Sequence, residues 1–324
     1  MSILPEIEIL LATYNGERFL SEQIDSILAQ DYANLRVLAR DDGSDDGTVA
    51  ILEEYAGRFP DRFRVVPPCP GTGHPKWNFL RLMEASTAEY VCFADQDDVW
   101  LPQKLTLTMQ AMHRLEGRYG NGLPLLAFTD LHVVNEHLEM IVESYWKLHR
   151  INPGQVNHFA RLLGQNVVTG CTAMVNRRLV ELALRLPDEA DMHDSWVALI
   201  ASAFGAGEPV RAQTVLYRQH DRNMLGAGDL PNQVKISNSS RHEEQRKRWE
   251  LMERQAKGML LAYGDELPAS KLRILKTFVP SRQSSHRIVV VGKVLWHRMY
   301  VPWVRNNLHM LRYLWSRKAA KTRE

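Results

Sequence analysis

The sequence predicts an α/β fold: a mostly parallel sheet with helices on both faces, followed by a helical C-terminal extension. Three observations carry this. Between Ile7 and Asp95, short apolar runs alternate with segments whose apolar residues recur at helical spacing, in the order β-α-β-α-β-α-β. The runs are apolar on consecutive residues, as strands covered on both faces are. Beyond about Gly226 the chain turns polar and then basic, in "GAGDLPNQ" and "ISNSSRHEEQRKR", which marks a boundary between residues 1–225 and a basic, helical extension over 226–324.

Taken in order, "IEILLAT" (Ile7 to Thr13) reads as a buried strand. Phe19, Leu20, Ile24, Ile27 and Leu28 form a helical stripe broken only by Gln23. "LRVLAR" (Leu35 to Arg40) is the next strand, and "DDGSDDGT" (Asp41 to Thr48) a loop by its Gly and Asp content. "VAILEEYAGRF" follows as a helix, with Asp46 or Thr48 as its N-cap. "RFRVVP" is a third strand, "WNFLRLMEAS" a helix, and "EYVCFAD" a fourth strand. After Pro102 the pattern is less regular. "LLAFTDLHVV" (Leu125 to Val134) reads as a strand pair or a strand and turn, and "NVVTGCTAMVN" (Asn166 to Asn176) as strand with a Gly bend. "DSWVALIASAFG" (Asp194 to Gly205) is an apolar helix stopped by Gly, and "VRAQTVLYRQH" (Val210 to His220) a late strand.

Composition narrows the class. Apolar residues make up 45% and charged residues 24% of 324, which is globular rather than disordered. Three cysteines, Cys69, Cys92 and Cys171, with no CxxC pair, exclude a disulfide framework or zinc site and predict a reduced, cytoplasmic protein. The start lacks a basic n-region, and no apolar stretch approaches the ~20 residues of a spanning helix. Net charge is +2, unevenly spread. From Lys271 to Glu324 thirteen Lys or Arg face one acid, for +12, while the remainder carries 27 basic and 37 acidic residues, for −10.

The acids lie where open α/β sheets bind ligands, beyond the carboxyl ends of strands. Asp41 and Asp42 follow one strand, and Asp95, Asp97 and Asp98 follow another in "FADQDDVW". Three carboxylates within four residues repel one another unless a cation sits among them. The segment is either a solvated turn or a holder for a hard, oxygen-seeking ion such as Mg²⁺ or Mn²⁺. "ATYNG" (Ala12 to Gly16) and "DDGSDDGT" together suit a nucleobase, a carboxylate accepting from a base N–H and Tyr14 stacking on it; turn chemistry alone would use the same residues. Neither GxGxxG nor GxxxxGK[ST] is present.

"LLATYNGERFLSEQIDSILAQDY", "DDGSDDGT", "FADQDDVWLPQKL", "NVVTGCTAMVNRRL", "MHDSWVALIASAFG" and "VLYRQHDRN", in that order over Ile7 to Gly228, resemble glycosyltransferase family 2 in its bacterial rhamnosyltransferase-like branch. The resemblance implies a GT-A nucleotide-sugar-binding fold. It places Asp42 on the nucleobase with Thr13 and Tyr14 beside it, Lys76 and Asn78 near the donor, and Asp97 on the metal. Asp95 then serves the ribose or the metal's waters, and Asp98 pairs with a neighbouring cation. His220 becomes a third metal or pyrophosphate contact, with Arg218 an alternative for phosphate. Asp194 becomes the general base, although as the first acid of a helix it also suits a cap. His193 stands where the family usually has another acid.

The implied activity is inverting, metal-dependent transfer of a sugar, rhamnose from dTDP-rhamnose, to a saccharide or lipid-linked acceptor for a surface polysaccharide. A non-catalytic nucleotide-sugar-binding scaffold and a nucleotidyltransferase are the alternatives. In the tail, Val304, Leu308, Leu311 and Trp315 fall at helical spacing among basic residues, with Trp296 and Trp303 nearby. The pattern suits either an anionic membrane surface, at the inner face of the cytoplasmic membrane, or packing on the core. Nucleic acid is not expected, since no recognised binding motif accompanies the charge.

Overall fold

The structure, a computed structural model, describes residues 4–67, 70–221, 223 and 238–279. Strand β1 (Ile7–Thr13) is buried along its whole length because its side chains feed two cores. Ile7, Ile9 and Leu11 enter one apolar cluster, and Leu10 and Ala12 another on the opposite face. Helix α1 (Leu20–Leu28), strand β2 (Leu35–Asp41), helix α2 (Thr48–Arg58), strand β3 (Phe63–Val65), helix α3 (Pro75–Ala85) and strand β4 (Tyr90–Asp95) follow in the predicted alternation. The N-cap position of α2 is Gly47 rather than Asp46 or Thr48, but Asp46, one residue before it, accepts from the Thr48 N–H at 3.0 Å and the Thr48 hydroxyl at 2.5 Å and so supports the first turn. Helix α3 starts two residues earlier than its apolar pattern does. Pro75 lacks the N–H that a first turn cannot use, and the His74 ring accepts from the Lys76 N–H at 3.1 Å.

The second half is less regular, for reasons that can be named. Strand β5 (Val99–Trp100) and helix α4 (Lys104–Tyr119) precede strand β6 (Leu125–Val134). "LLAFTDLHVV" is thus one long strand, with register shifts around Asp130 rather than a turn. Then come β7 (Met140–Val142), the one-turn helices α5 (Tyr145–Leu148) and α6 (Phe159–Leu162), β8 (Ala173–Asn176), α7 (Arg177–Ala183), α8 (His193–Phe204) and β9 (Ala206–Arg218). In "NVVTGCTAMVN" only the last four residues pair as strand, and Gly170–Thr172 makes a 3-10 turn.

The nine strands form one sheet in the order β3-β2-β1-β4-β8-β6-β9-β5, with β7 paired to β6. The first four run parallel, as do β6 and β9; β8 is antiparallel to both its neighbours. Register places Thr13 beside Asp41 and Ala12 beside Asp95. Both acidic loops therefore leave the sheet at one edge, which the ends of β6 and β9 share.

Helices α9 (Asn238–Tyr263) and α10 (Ala269–Phe278) pack on this domain, with Ala256, Met259, Tyr263, Leu275 and Phe278 in the same cluster as Trp196. Gly258 allows the close approach, since a Cβ there would lie 3.0 Å from Pro187 and 3.1 Å from Glu189. Arg254 pairs with Asp191 at 2.7 Å and Lys257 with Glu189 at 2.6 Å. The basic, Trp-bearing segment after Val279 and the polar stretch 224–237 lie outside the described residues, as does Cys69. Cys92 and Cys171 are free and buried. Among the described residues no helix is long and apolar enough to cross a membrane.

Candidate active site

The side of the edge formed by the ends of β1 and β2 is built around a buried arginine that sequence reading passed over. Arg40, 1% exposed at the end of β2, donates from Nη1 to Asp42 Oδ1 at 2.8 Å and to Asn78 Oδ1 at 2.7 Å. Asp42 also accepts from the Thr72 N–H at 2.6 Å, the Thr72 hydroxyl at 2.9 Å and the Gly73 N–H at 2.9 Å. Burial alone would raise its pKa; the hydrogen bonds from Arg40 and Thr72 outweigh burial and hold it below the usual carboxylate range. Asn78 completes the frame, donating to the Thr13 and Arg40 carbonyls at 3.3 Å each. Thr13 gives its hydroxyl to Asp41 at 2.9 Å.

Tyr14 is held by its backbone and leaves its ring 58% exposed at the mouth of this frame. Gln96, the middle residue of the DQD, accepts the Tyr14 N–H at 2.7 Å and donates to the Tyr14 carbonyl at 2.8 Å. That reciprocal pair fastens the loop after β1 to the acidic loop. Gly16 makes room for it, since a Cβ there would meet Gln96 Oε1 at 2.3 Å. Lys76 is not turned toward the acids. Its ammonium donates to the carbonyls of Asp188 (3.1 Å) and Ala190 (2.9 Å) and lies 4.5 Å from the Trp77 ring centre.

The acidic loop brings Asp97 and His220 together, Oδ2 to Nε2 at 2.9 Å, with the imidazole packed 4.9 Å from the Phe19 ring. Arg218 braces the loop from behind. It donates from Nε to the Asp97 carbonyl at 2.8 Å and from Nη1 to the Glu136 carbonyl at 2.6 Å, and pairs with Glu22. It serves there as a buried strut rather than as a phosphate contact. Asp98 turns inward and is fully buried. One oxygen accepts the Arg218 N–H at 3.3 Å, while Oδ2 has no hydrogen-bond partner.

Below Asp98 lies Lys104, also fully buried, its ammonium 3.8 Å from the Trp100 ring centre and without a hydrogen bond. Burial lowers the Lys104 pKa, and the charges of Cys92, Cys171 and Asp98 work against that. The third acid of "DQDD" and the lysine six residues on were the available sequence signals.

Asp194 reaches the same edge from the start of α8, where its Oδ1 accepts the Ser195 N–H at 2.6 Å. Burial pushes its pKa up to about 7. Asp95 is also pushed to about 7, by burial first and then by the charges of Asp97 and Asp194. Asp95 thus feels the charge of Asp194. His193 does not replace the missing acid. Its ring packs 3.9 Å from Phe79 and 5.0 Å from Phe93, neither nitrogen has a hydrogen-bond partner, and burial lowers its pKa to about 3. It is a neutral spacer.

Ligand atoms of Asp95, Asp98 and Cys171 all lie within 4.8 Å of one another. Two carboxylates with raised or unpartnered oxygens fit a hard divalent cation. Cys171, its thiol pKa raised by burial and then by Asp98, contributes no hard donor. Among the described residues this group includes Asp98, whereas the sequence pointed to Asp95, Asp97 and His220.

Comparison with known proteins bears on family and fold. The model of glycosyl transferase family 2 matches residues 8–181. The dTDP-rhamnosyl transferase RfbG of Shigella flexneri is 27% identical over 235 residues, covering 67% of this chain and 74% of that protein. The E. coli UDP-Glc:alpha-D-GlcNAc-diphosphoundecaprenol beta-1,3-glucosyltransferase WfgD is 30% identical over 117 residues, or 36% of this chain and 45% of that one. In fold, S. aureus TarS 1-349, solved in complex with UDP-GlcNAc, aligns with a TM-score of 0.54 at 17% identity, over 84% of this chain and 71% of its own. The chain has the GT-A fold and belongs to glycosyltransferase family 2.

Proposed function

We propose that this glycosyltransferase is inverting and divalent-metal-dependent, and that it moves rhamnose from dTDP-rhamnose to a saccharide or lipid-linked acceptor in surface polysaccharide biosynthesis. One observation carries the mechanism: Asp194 stands at the start of α8 on the edge where Asp95 feels its charge, and burial pushes its pKa up to about 7. A base with a pKa near the working pH takes a proton most effectively. Asp194 removes the acceptor hydroxyl's proton as that oxygen bonds to the anomeric carbon. The bond from that carbon to the diphosphate oxygen breaks on the opposite face, and its electron pair leaves with the nucleotide.

Asp42, Thr13, Asn78 and the exposed Tyr14 ring form the nucleotide pocket, with Lys76 holding the neighbouring 188–190 loop. Asp97, Asp95 and His220 would hold Mg²⁺ or Mn²⁺, which supplies positive charge to the departing diphosphate. The choice of dTDP-rhamnose is supported by the likeness to RfbG.

The test is a panel of nucleotide sugars with purified protein, with Mn²⁺ or with chelator, and the anomeric configuration of the product read by NMR. Transfer from dTDP-rhamnose with inversion, lost on chelation, is expected; a retained configuration overturns the single displacement. The net +12 tail from Lys271 to Glu324 supports peripheral attachment to an anionic membrane surface, read as salt-sensitive flotation with anionic vesicles. Absence of binding at low salt would remove that attachment.

A further inference from the structure

The chemistry above leaves a buried acid, Asp130, without a role. It sits in β6 where the pairing with β9 shifts register, 3% exposed. Its carboxylate accepts four hydrogen bonds: from Leu131 N–H (2.9 Å), Trp146 N–H (3.1 Å), the Ser144 hydroxyl (2.5 Å) and Gln213 Nε2 (3.1 Å). Two of these donors flank Tyr145, the first residue of α5. Ser144 also caps that turn through the Lys147 N–H, and Trp146 is wedged against Phe128 at 5.6 Å. A one-turn helix has little stability of its own, so these anchors fix where Tyr145 stands.

Tyr145 stands half-buried, its ring 4.3 Å from His149 and 6.4 Å from Tyr217. Tyr145 and Tyr217 both pack against the apolar cluster that holds Cys171, the neighbour of Gly170, where an added Cβ would lie 3.5 Å from the Asp194 Cβ. Burial first, then the charges of Asp194 and Cys171, raises the Tyr145 pKa; burial, then Asp98, Cys171, Asp95 and Asp97, raises that of Tyr217. His149 Nε2 is buried without a hydrogen-bond partner. A sugar ring offers an apolar C–H face and a rim of hydroxyls, and an aromatic face with polar tips complements both. Groups beside the base meet the molecule whose proton the base takes.

We propose that Tyr145, backed by His149 and Tyr217, is the wall on which the acceptor sugar ring stacks, so that its attacking hydroxyl is delivered to Asp194. This rests on the reading of Asp194 as the base. Asp130 acts one step removed, as the residue that positions the wall.

The experiment uses the full chain with dTDP-rhamnose and the octyl glycosides of rhamnose, glucose, galactose and N-acetylglucosamine as acceptor probes. Tyr145→Ala and Tyr145→Leu are expected to raise the acceptor KM at least tenfold and leave dTDP affinity by calorimetry within twofold. Tyr145→Phe, which keeps the face, should stay within threefold of the wild-type KM. The Leu variant keeps bulk in the half-buried site, so a rise there reports the aromatic face rather than lost packing. An unchanged KM in the Leu variant, or a parallel loss of dTDP affinity, overturns the wall. So does a wild type that binds dTDP and glycosylates none of the glycosides. A wild type that binds no nucleotide overturns the proposed function, and the wall with it.

Discussion

Asp41 and Asp42 leave β2 at the sheet edge where Asp95 leaves β4, yet the two groups of acids meet different surroundings. In the first loop the acids are satisfied from within the protein. Asp41 accepts from Thr13, from the Ser44 hydroxyl and from the N–H groups of Gly43 and Ser44, at 2.6–2.9 Å. Asp42 is ringed by Arg40, Thr72 and Gly73, and Asp46 by Thr48 and the Glu17 N–H. The pKa values of Asp42 and Asp46 are lowered, hydrogen bonds outweighing burial. In the second loop burial and mutual repulsion raise Asp95 and Asp98, and one Asp98 oxygen has no partner. Acidic turns of similar composition thus do different work. One is a finished scaffold that shapes a pocket; the other holds unbalanced charge that suits a cation.

The largest effect expected from this difference is at Asp97. Asp97→Asn keeps volume and can keep a hydrogen bond to His220, but it removes charge from the unbalanced loop. Metal-dependent transfer should fall to background while the thermal midpoint is nearly unchanged. A folded variant that still turns over at the wild-type rate with Mn²⁺ would take Asp97 out of the site.

Next comes Asp194→Asn, which should lower kcat by roughly 10²–10⁴-fold, the scale of a lost general base. Nucleotide affinity should hold, because the residue meets the acceptor side. Its backbone contact to Ser195 serves as a helix cap either way. Single-turnover transfer at wild-type speed would reduce it to that cap.

Asp42→Asn should weaken dTDP binding by about tenfold, roughly 1.4 kcal/mol, on the scale of a buried hydrogen bond to a charged group. It should act on affinity more than on kcat, since the frame that Asp42 holds would meet the nucleotide far from the bond being broken, alike in ground and transition states. Arg40 would lose its charged partner while buried, so the thermal midpoint should fall too, unlike that of Asp97→Asn. Calorimetry with dTDP decides; unchanged affinity would leave Asp42 as turn chemistry alone.

Much of the first loop was legible because its signals are local. Strand periodicity gave β1, β2 and β4 almost residue for residue, and Asp46 supporting the first turn of α2 is a contact across two positions. The second loop was legible only as a cluster. What distinguishes Asp98 from Asp97 is the packing of Lys104, Cys171 and Arg218, which arrive from α4, the turn before β8 and the end of β9. Lys76 shows the converse: its place in the sequence suited a nucleotide contact, but its reach is set by the 188–190 loop. Asp130 was not legible in the sequence, because its donors at 144, 146 and 213 are brought to it only by folding.

The smallest predicted effect tests the contrast directly, through pH. Asp42 and Asp46 have folded pKa values below their unfolded ones. Their stabilisation is present above about pH 4 and is lost as pH falls through the folded values. Asp95 and Asp194 are raised to about 7, so between about pH 4 and 7 the folded chain binds protons that the unfolded chain has released. Over that interval their contribution to stability falls as pH rises. The ligand-free protein should therefore lose a few degrees of thermal midpoint between pH 5 and pH 8, on the scale of about 2–4 °C per kcal/mol. His193, lowered to about 3, contributes the opposite sign up to about pH 6.5, but less than the two acids together. Saturating Mn²⁺ favours the ionised carboxylates and should flatten the slope; Asp95→Asn combined with Asp194→Asn should reduce it without metal, leaving the share of Asp98, whose pKa is also raised. A midpoint that rises over this range, or a slope that neither treatment reduces, would show that the second loop is as well satisfied as the first.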